Sequence, residues 1–264
     1  LTYIVAEAGI AHEGKLENAF KLVEVAKYGM ADAVKFQVYK TENFVTRSTP
    51  QFERYKKKEL SYADFKLISD YAKTFGITFF ATPHDEESLD FLLDLDVPII
   101  KIGSGELGNW RLLDKAVAFD KRIFISVGMH TDEEIQEVAD RIDGADATIL
   151  HCVTMYPTPP EQVRLKRIPY LKRIFSKIGY SDHTAGFHIP VAATVFGASV
   201  IEKHIKLDES TGQDTLVALN DVDFRRMVNQ IRDVKKASVG VSVSLEQMKS
   251  RAWALKDKTT GKRH

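Results

Sequence analysis

The chain has 264 residues, enough for one large α/β barrel or two ordinary domains. Its 37 lysines and arginines equal its 37 aspartates and glutamates, which argues against a field built for nucleic acid or an anionic membrane, although a few local cations suffice for a small anion. Cys152 is the one cysteine, so no internal disulfide forms; no apolar run approaches a membrane span, no signal-peptide pattern opens the chain, and the expected location is cytoplasmic.

Short apolar, β-branched runs alternate with amphipathic stretches, the pattern of parallel strands joined by crossover helices. It predicts strands at Tyr3–Gly9, Ala33–Tyr39, Ile77–Thr82, Pro98–Ser104, Arg122–Gly128, Ala147–Val153, Lys177–Asp182 and Ser199–Ile205. Between them helices are expected at Leu16–Tyr28, Tyr62–Lys73, Glu86–Leu93, Trp110–Phe119, Asp132–Ile142, Arg164–Phe175, His188–Phe196 and Asp221–Lys236. Thr131 followed by Glu134 reads as a capping box. Eight βα units without a linker favour a closed (β/α)8 TIM barrel over residues 1–241; 242–264 reads as a helix remnant or tail. The open doubly wound sheet is the competitor, and neither GxGxxG nor GxxxxGK[ST] supports its nucleotide-binding form. The charged segment Lys40–Leu60 leaves the second strand as a long mixed loop.

Ionisable residues should be rare in strands flanked by helices. Yet the strands finish with Glu7, Lys35 and Gln37, Thr82, Lys101 and Ser104, Ser126, His151, Ser181 and His183, Glu202 and His204. That end is the working face of a barrel. Alternation puts Lys35 with Gln37, Ser181 with His183, and Glu202 with His204 on common sides. Any one of these residues is ordinarily a cap, a paired lysine or a satisfied histidine; their coincidence on one rim points to a site. Two lysines among hydroxyls suit phosphate, and two imidazoles could begin a metal shell.

The segments AEAGIAHEG (6–14), DAVKFQ (32–37), ATP (81–83), KIGSGE (101–106), SVGM (126–129), LHCVTMYPTPPEQVRL (150–165), GYSDHT (179–184) and GASVIEKH (197–204) together resemble the sialic acid synthase (N-acetylneuraminate synthase) family. The resemblance spans residues 3–236 and keeps the family's order. It implies a transferase that condenses phosphoenolpyruvate with an N-acetylated amino sugar such as N-acetylmannosamine, giving a nonulosonic acid and phosphate. It further implies that His183 and His204 hold Mn²⁺ or Mg²⁺, and that Lys35, Thr82, Lys101, Ser104, Ser126 and Ser181 hold phosphoenolpyruvate. Glu7, Gln37, Glu106, Tyr156 and Asp214 would contact the sugar, with Glu7 managing a proton beside the two histidines. A homodimer is compatible with it.

Departures from the family pattern are Ala11 at a position commonly Asn, Thr154 before YPTP, where its hydroxyl would still meet substrate, and Thr215 after Asp214 in place of a frequent His. Many members carry a C-terminal antifreeze-like domain that covers a partner's site; the stretch ending at His264 holds none. The rival expectations are a keto-sugar acid synthase with another acceptor, with Arg47–Lys58 supplying cations for a phosphorylated one, a Schiff-base aldolase, and a barrel that binds without turnover.

Overall fold

The computed structural model describes residues 2–240 and 242–263. Eight strands close into a parallel barrel in sequence order: β1 Tyr3–Gly9, β2 Ala33–Val38, β3 Thr78–Pro83, β4 Ile99–Ile102, β5 Arg122–Ser126, β6 Ala147–His151, β7 Ile178–Asp182 and β8 Val200–His204, with β8 pairing back onto β1. The expected (β/α)8 barrel is therefore the fold. Among the described residues, no helix is long and apolar enough to cross a membrane.

The alternation of strand side chains builds two cores. Outward-facing residues such as Ile4, Val34, Ile100 and Ile201 pack beneath the helices in one large cluster. Inward-facing Val5, Ala33, Phe80, Ile99, Phe124, Leu150 and Val200 fill the lower barrel in a second. The edge-to-face contact of Phe80 with Phe124, at 5.7 Å and 87°, plugs the centre. At this level Gly179 is required: a Cβ there would meet Leu150 Cδ2 at 2.4 Å and the Val200 carbonyl oxygen at 2.7 Å.

Going up each strand by twos, the inward side chain changes from apolar to polar. Val5 gives way to Glu7, Ala33 to Lys35, Phe80 to Thr82, Ile99 to Lys101, Phe124 to Ser126 and Val200 to Glu202. Apolar packing thus seals the lower barrel while the same strands carry the chemistry at their C-terminal ends.

Two expectations are corrected. Segment 40–60 is not a loop: it forms helices Thr41–Phe44 and Gln51–Lys58. The Glu59 carboxylate accepts from the Thr41 amide (3.0 Å) and hydroxyl (2.7 Å), and Lys58 donates to Glu13 (2.7 Å) and to the Thr211 carbonyl (3.3 Å). The segment is thereby pinned to the loops after β1 and β8. The single helix expected over Arg164–Phe175 is instead two short ones, Pro160–Val163 and Arg167–Leu171. Arg164 sits between them at φ 54°, a left-handed conformation that a continuous helix excludes. The capping box at Thr131 and Glu134 forms in full. The tail carries short helices Leu245–Lys249 and Arg251–Ala254, and Leu245 and Trp253 there are exposed.

Candidate active site

A cavity opens at the C-terminal mouth of the barrel, lined from every strand or, for β6, from Cys152 and Thr154 just after it. All the site residues expected from sequence line it except Glu106, Asp214 and the rim residue His151, whose Nε2 lies 2.7 Å from the Val163 carbonyl oxygen. The deepest polar rung carries Glu7, Lys35, Lys101 and Glu202, each nearly inaccessible to water. Lys35 Nζ lies 2.7 Å from Glu7 Oε2 and 3.7 Å from Glu202 Oε2, and donates to Thr82 Oγ1 at 3.2 Å. Lys101 Nζ donates to Ser126 Oγ (2.7 Å) and the Ile102 carbonyl (3.1 Å). Ser181 donates to Glu202 Oε1 at 2.8 Å, and Gln37 Nε2 to Glu7 Oε1 at 3.3 Å.

Burial makes these charges interdependent. It lifts the Glu7 carboxyl above the usual carboxylate range, against the pull of Lys35 and with the help of Glu202. Glu202, equally buried, is nonetheless held well below that range by Lys35 and then Lys101. Burial pulls Lys101 below the usual lysine range, while Lys35, despite burial, is raised by Glu202 and Glu7. One carboxyl is therefore poised to take a proton while its neighbour remains an anion. Two lysines whose hydroxyl partners are already aligned are suited to an anion.

The next rung holds the imidazoles. His183 and His204 have ring centroids 5.5 Å apart. His183 Nδ1 lies 2.7 Å from the Val153 carbonyl oxygen, which only accepts, so Nδ1 carries the proton and Nε2 presents a lone pair. Tyr156 OH donates to that Nε2 at 3.0 Å. Burial, then the neighbouring His204, holds His183 down to about 4; burial also lowers His204, against the charge of Asp214. Neutral imidazole is the form that ligates metal. No group of three or more His, Cys, Asp or Glu side chains suited to an ion is found among the described residues. Two nitrogens, with water and a substrate oxygen, still fit the donor set of an open, exchangeable divalent site.

Ser104 Oγ accepts from the Gly128 amide at 2.9 Å and lies 3.1 Å from Cys152 Sγ. Gly128 is needed here, since a Cβ would come within 2.6 Å of Cys152 Sγ and 2.7 Å of Thr154 Oγ1. The carboxylate of Glu106 is bound to His84 Nδ1 at 2.7 Å, and it is His84 that borders the cavity. Asp214 lines a separate narrow crevice with Ala11 and Lys206, although its charge reaches His204 and Tyr156. His84, Cys152 and Glu202 also line the cavity, although the family resemblance assigns them no role. Strand alternation carried past each strand end finds the first two, as Phe80–Thr82–His84 and Leu150–Cys152–Thr154, and Val200–Glu202–His204 includes the third.

The sequence profile described as the NeuB family matches residues 22–242. The chain belongs to the NeuB family. It is 39% identical over 257 residues to the N,N'-diacetyllegionaminic acid synthase of Campylobacter jejuni, an alignment covering 89% of this chain and 77% of that protein. It is 32% identical over 253 residues to the N-acetylneuraminate-9-phosphate synthase of Homo sapiens, covering 89% and 70%. The crystal structure of N-acetylneuraminic acid (sialic acid) synthetase from Leptospira borgpetersenii superposes with a TM-score of 0.89 at 29% identity, covering 95% of this chain and 91% of that one. This NeuB-family barrel is thus similar to synthases whose named products differ from one another, so membership fixes the class of protein and leaves the product open.

Proposed function

We propose that the protein condenses phosphoenolpyruvate with the open-chain aldehyde of an N-acetylated, N-acetylmannosamine-like sugar, releasing phosphate and a nonulosonic acid. The observation that carries this reading is the meeting of Lys35 and Lys101 with Thr82, Ser126 and Ser181 around the floor of one cavity, with the His183–His204 pair at its side. The lysines and hydroxyls are suited to the phosphate and carboxylate of phosphoenolpyruvate, with Ser104 and the Gly128 amide beside them. His183 and His204 would hold Mn²⁺ or Mg²⁺, which when bound makes an aldehyde carbon more electrophilic.

The chain's own groups then position the reaction. Gln37, Tyr156 and Thr154 border the upper cavity, where an acceptor's hydroxyls would be held. The methylene carbon of phosphoenolpyruvate forms the new bond to the aldehyde carbon. Water adds to the former enol carbon, and the tetrahedral adduct expels phosphate as its ketone forms. Glu7, whose carboxyl is raised and sits on Lys35, is placed to hold or pass the proton.

An unphosphorylated acceptor is favoured. Arg47 pairs with Glu42, Lys56 with Glu42 and Glu59, and Lys58 with Glu13, and no residue of segment 47–58 lines the cavity. The Schiff-base alternative would use Lys101, the lysine that burial shifts toward the neutral amine. The deciding experiment measures phosphate release with phosphoenolpyruvate and Mn²⁺ across a panel of N-acetylated sugars, free and phosphorylated, with borohydride trapping in the presence of pyruvate alongside. Release dependent on a free N-acetylated sugar, with no pyruvyl adduct, is expected. No release with any acceptor, or a reduced adduct on Lys101, overturns the reading.

A further inference from the structure

Glu106 does not border the catalytic cavity; it holds a residue that does. Its Oε1 lies 2.7 Å from His84 Nδ1. A carboxylate oxygen accepts from an imidazole N–H, which assigns the proton of this contact to Nδ1 and makes Nε2 the acceptor of the neutral ring. The ring is fixed on its faces as well as its edge. Phe44 stacks on it at 4.4 Å and 29°, and Tyr39 meets it at 6.3 Å. An imidazole clamped by a carboxylate and an aromatic stack has one orientation to offer.

Nε2 is shielded from bulk water and has no hydrogen-bond partner. Buried polar nitrogens are ordinarily satisfied, so one without a protein partner, on a residue that borders a cavity, calls for a partner from outside the chain. Height within the barrel says which ligand. Thr82, two residues earlier on the same inward side, touches Lys35 in the lysine rung. His84 lies about 6–7 Å further up, given the rise of an extended chain. That is the level of Tyr156 and the imidazole pair, above the groups suited to phosphoenolpyruvate.

We propose that His84 is a specificity-determining residue for the acceptor, its Nε2 accepting a hydrogen bond from a hydroxyl or acylamino N–H of the sugar. Glu106 is its positioning residue, fixing tautomer and ring plane. The assignment rests on the condensation reading above. It also accounts for a carboxylate buried at the mouth of the barrel without reaching the cavity.

The test is steady-state kinetics of His84→Phe and His84→Gln, varying acceptor and phosphoenolpyruvate separately. Phenylalanine keeps a flat ring for Phe44 and deletes the nitrogen; glutamine returns a polar group near the same reach. The expected result for His84→Phe is an acceptor KM raised about tenfold or more, with the phosphoenolpyruvate KM within about twofold of wild type. His84→Gln should recover part of the acceptor KM. A purely structural role would move both KM values or neither, and Gln would not rescue. An unchanged acceptor KM in active His84→Phe overturns this assignment alone. Absence of phosphate release by the wild-type enzyme overturns the functional reading and this assignment with it.

Discussion

Tyr156 OH lies 3.0 Å from Nε2 of His183, the ring nitrogen that faces away from the Val153 carbonyl. The phenol therefore sits on the lone pair that an ion would use, and would have to leave it for an ion to bind there. Removing it tests both roles. Tyr156→Phe should bind Mn²⁺ as tightly as wild type or up to about tenfold tighter, since one competing hydrogen bond of about 1 kcal/mol disappears. Its acceptor KM should rise. His183→Ala and His204→Ala should lose the ion. Electron paramagnetic resonance titration of free Mn²⁺ reads all three directly. Chelator should abolish turnover of the wild type and added Mn²⁺ should restore it.

Glu7 sits in contact with Lys35 at 2.7 Å with its carboxyl raised by burial. Glu7→Gln keeps the shape and the contact with Gln37 while removing the exchangeable proton. Turnover should fall by about 10²-fold or more, the range of a lost general acid or base. Phosphoenolpyruvate affinity should stay within about threefold, because Lys35, Thr82, Lys101, Ser126 and Ser181, the groups proposed to hold it, are all retained. Comparing kcat with the equilibrium affinity for phosphoenolpyruvate separates the two; equal losses would remove Glu7 from proton transfer.

A different ion pair holds the imidazoles in place. Lys203 and Asp182 are both fully buried on the outside of the barrel wall, 2.5 Å apart. Lys203 also donates to the Thr184 carbonyl (2.6 Å), and Asp182 accepts from Tyr180 OH (2.7 Å) and the Thr184 hydroxyl. This network fixes the turn from which His183 projects. Lys203→Met leaves Asp182 as an unpaired buried charge and should cost about 3–5 kcal/mol in urea unfolding. Adding Asp182→Asn should cost less than the sum of the single changes, since the stranded charge is removed.

The loop after β1 carries a pH-dependent contribution of its own. His12 is buried against Phe36 and Phe65, and its Nδ1 accepts from the Gly14 amide at 3.1 Å. Burial holds it down to about 4 from an ordinary 6.5; Glu13 opposes the shift and Lys58 adds to it. Between those values the unfolded chain takes up a proton that the folded chain refuses. Stability from this residue is complete above about pH 6.5 and falls by about 3 kcal/mol as the pH drops to about 4. Urea midpoints of wild type and His12→Gln across that range should converge as the pH falls.

Much of this was legible in the chain. The eight strands, their parallel order and the polar change at their ends follow from period-two patterning, because one face of each strand must bury against helices and the other inside the barrel. The rungs that hold Lys35, Lys101, His183 and His204 follow from the same alternation. What the sequence hid was the contact that decides a role. Glu106 carries a carboxylate at the right height, but its partner His84 lies 22 residues earlier and takes its place at the cavity. Glu202 was visible at a strand end, yet only its approach to Lys35 and Ser181 gives it a part in the site. The break at Arg164 depends on a left-handed backbone that a helical pattern does not announce, and Pro169, which lacks an amide proton, fits the first turn of the helix Arg167–Leu171 but would cost a hydrogen bond in a helix that began several residues earlier.

Anomalous diffraction at the manganese edge, from crystals grown with Mn²⁺ and phosphoenolpyruvate, reads the arrangement directly. The expected map has one manganese peak within bonding distance of nitrogens from His183 and His204, with the phosphate or carboxylate of phosphoenolpyruvate on Lys35 and Lys101 beneath it. Manganese at some other set of side chains, or phosphoenolpyruvate bound away from both lysines, would contradict it.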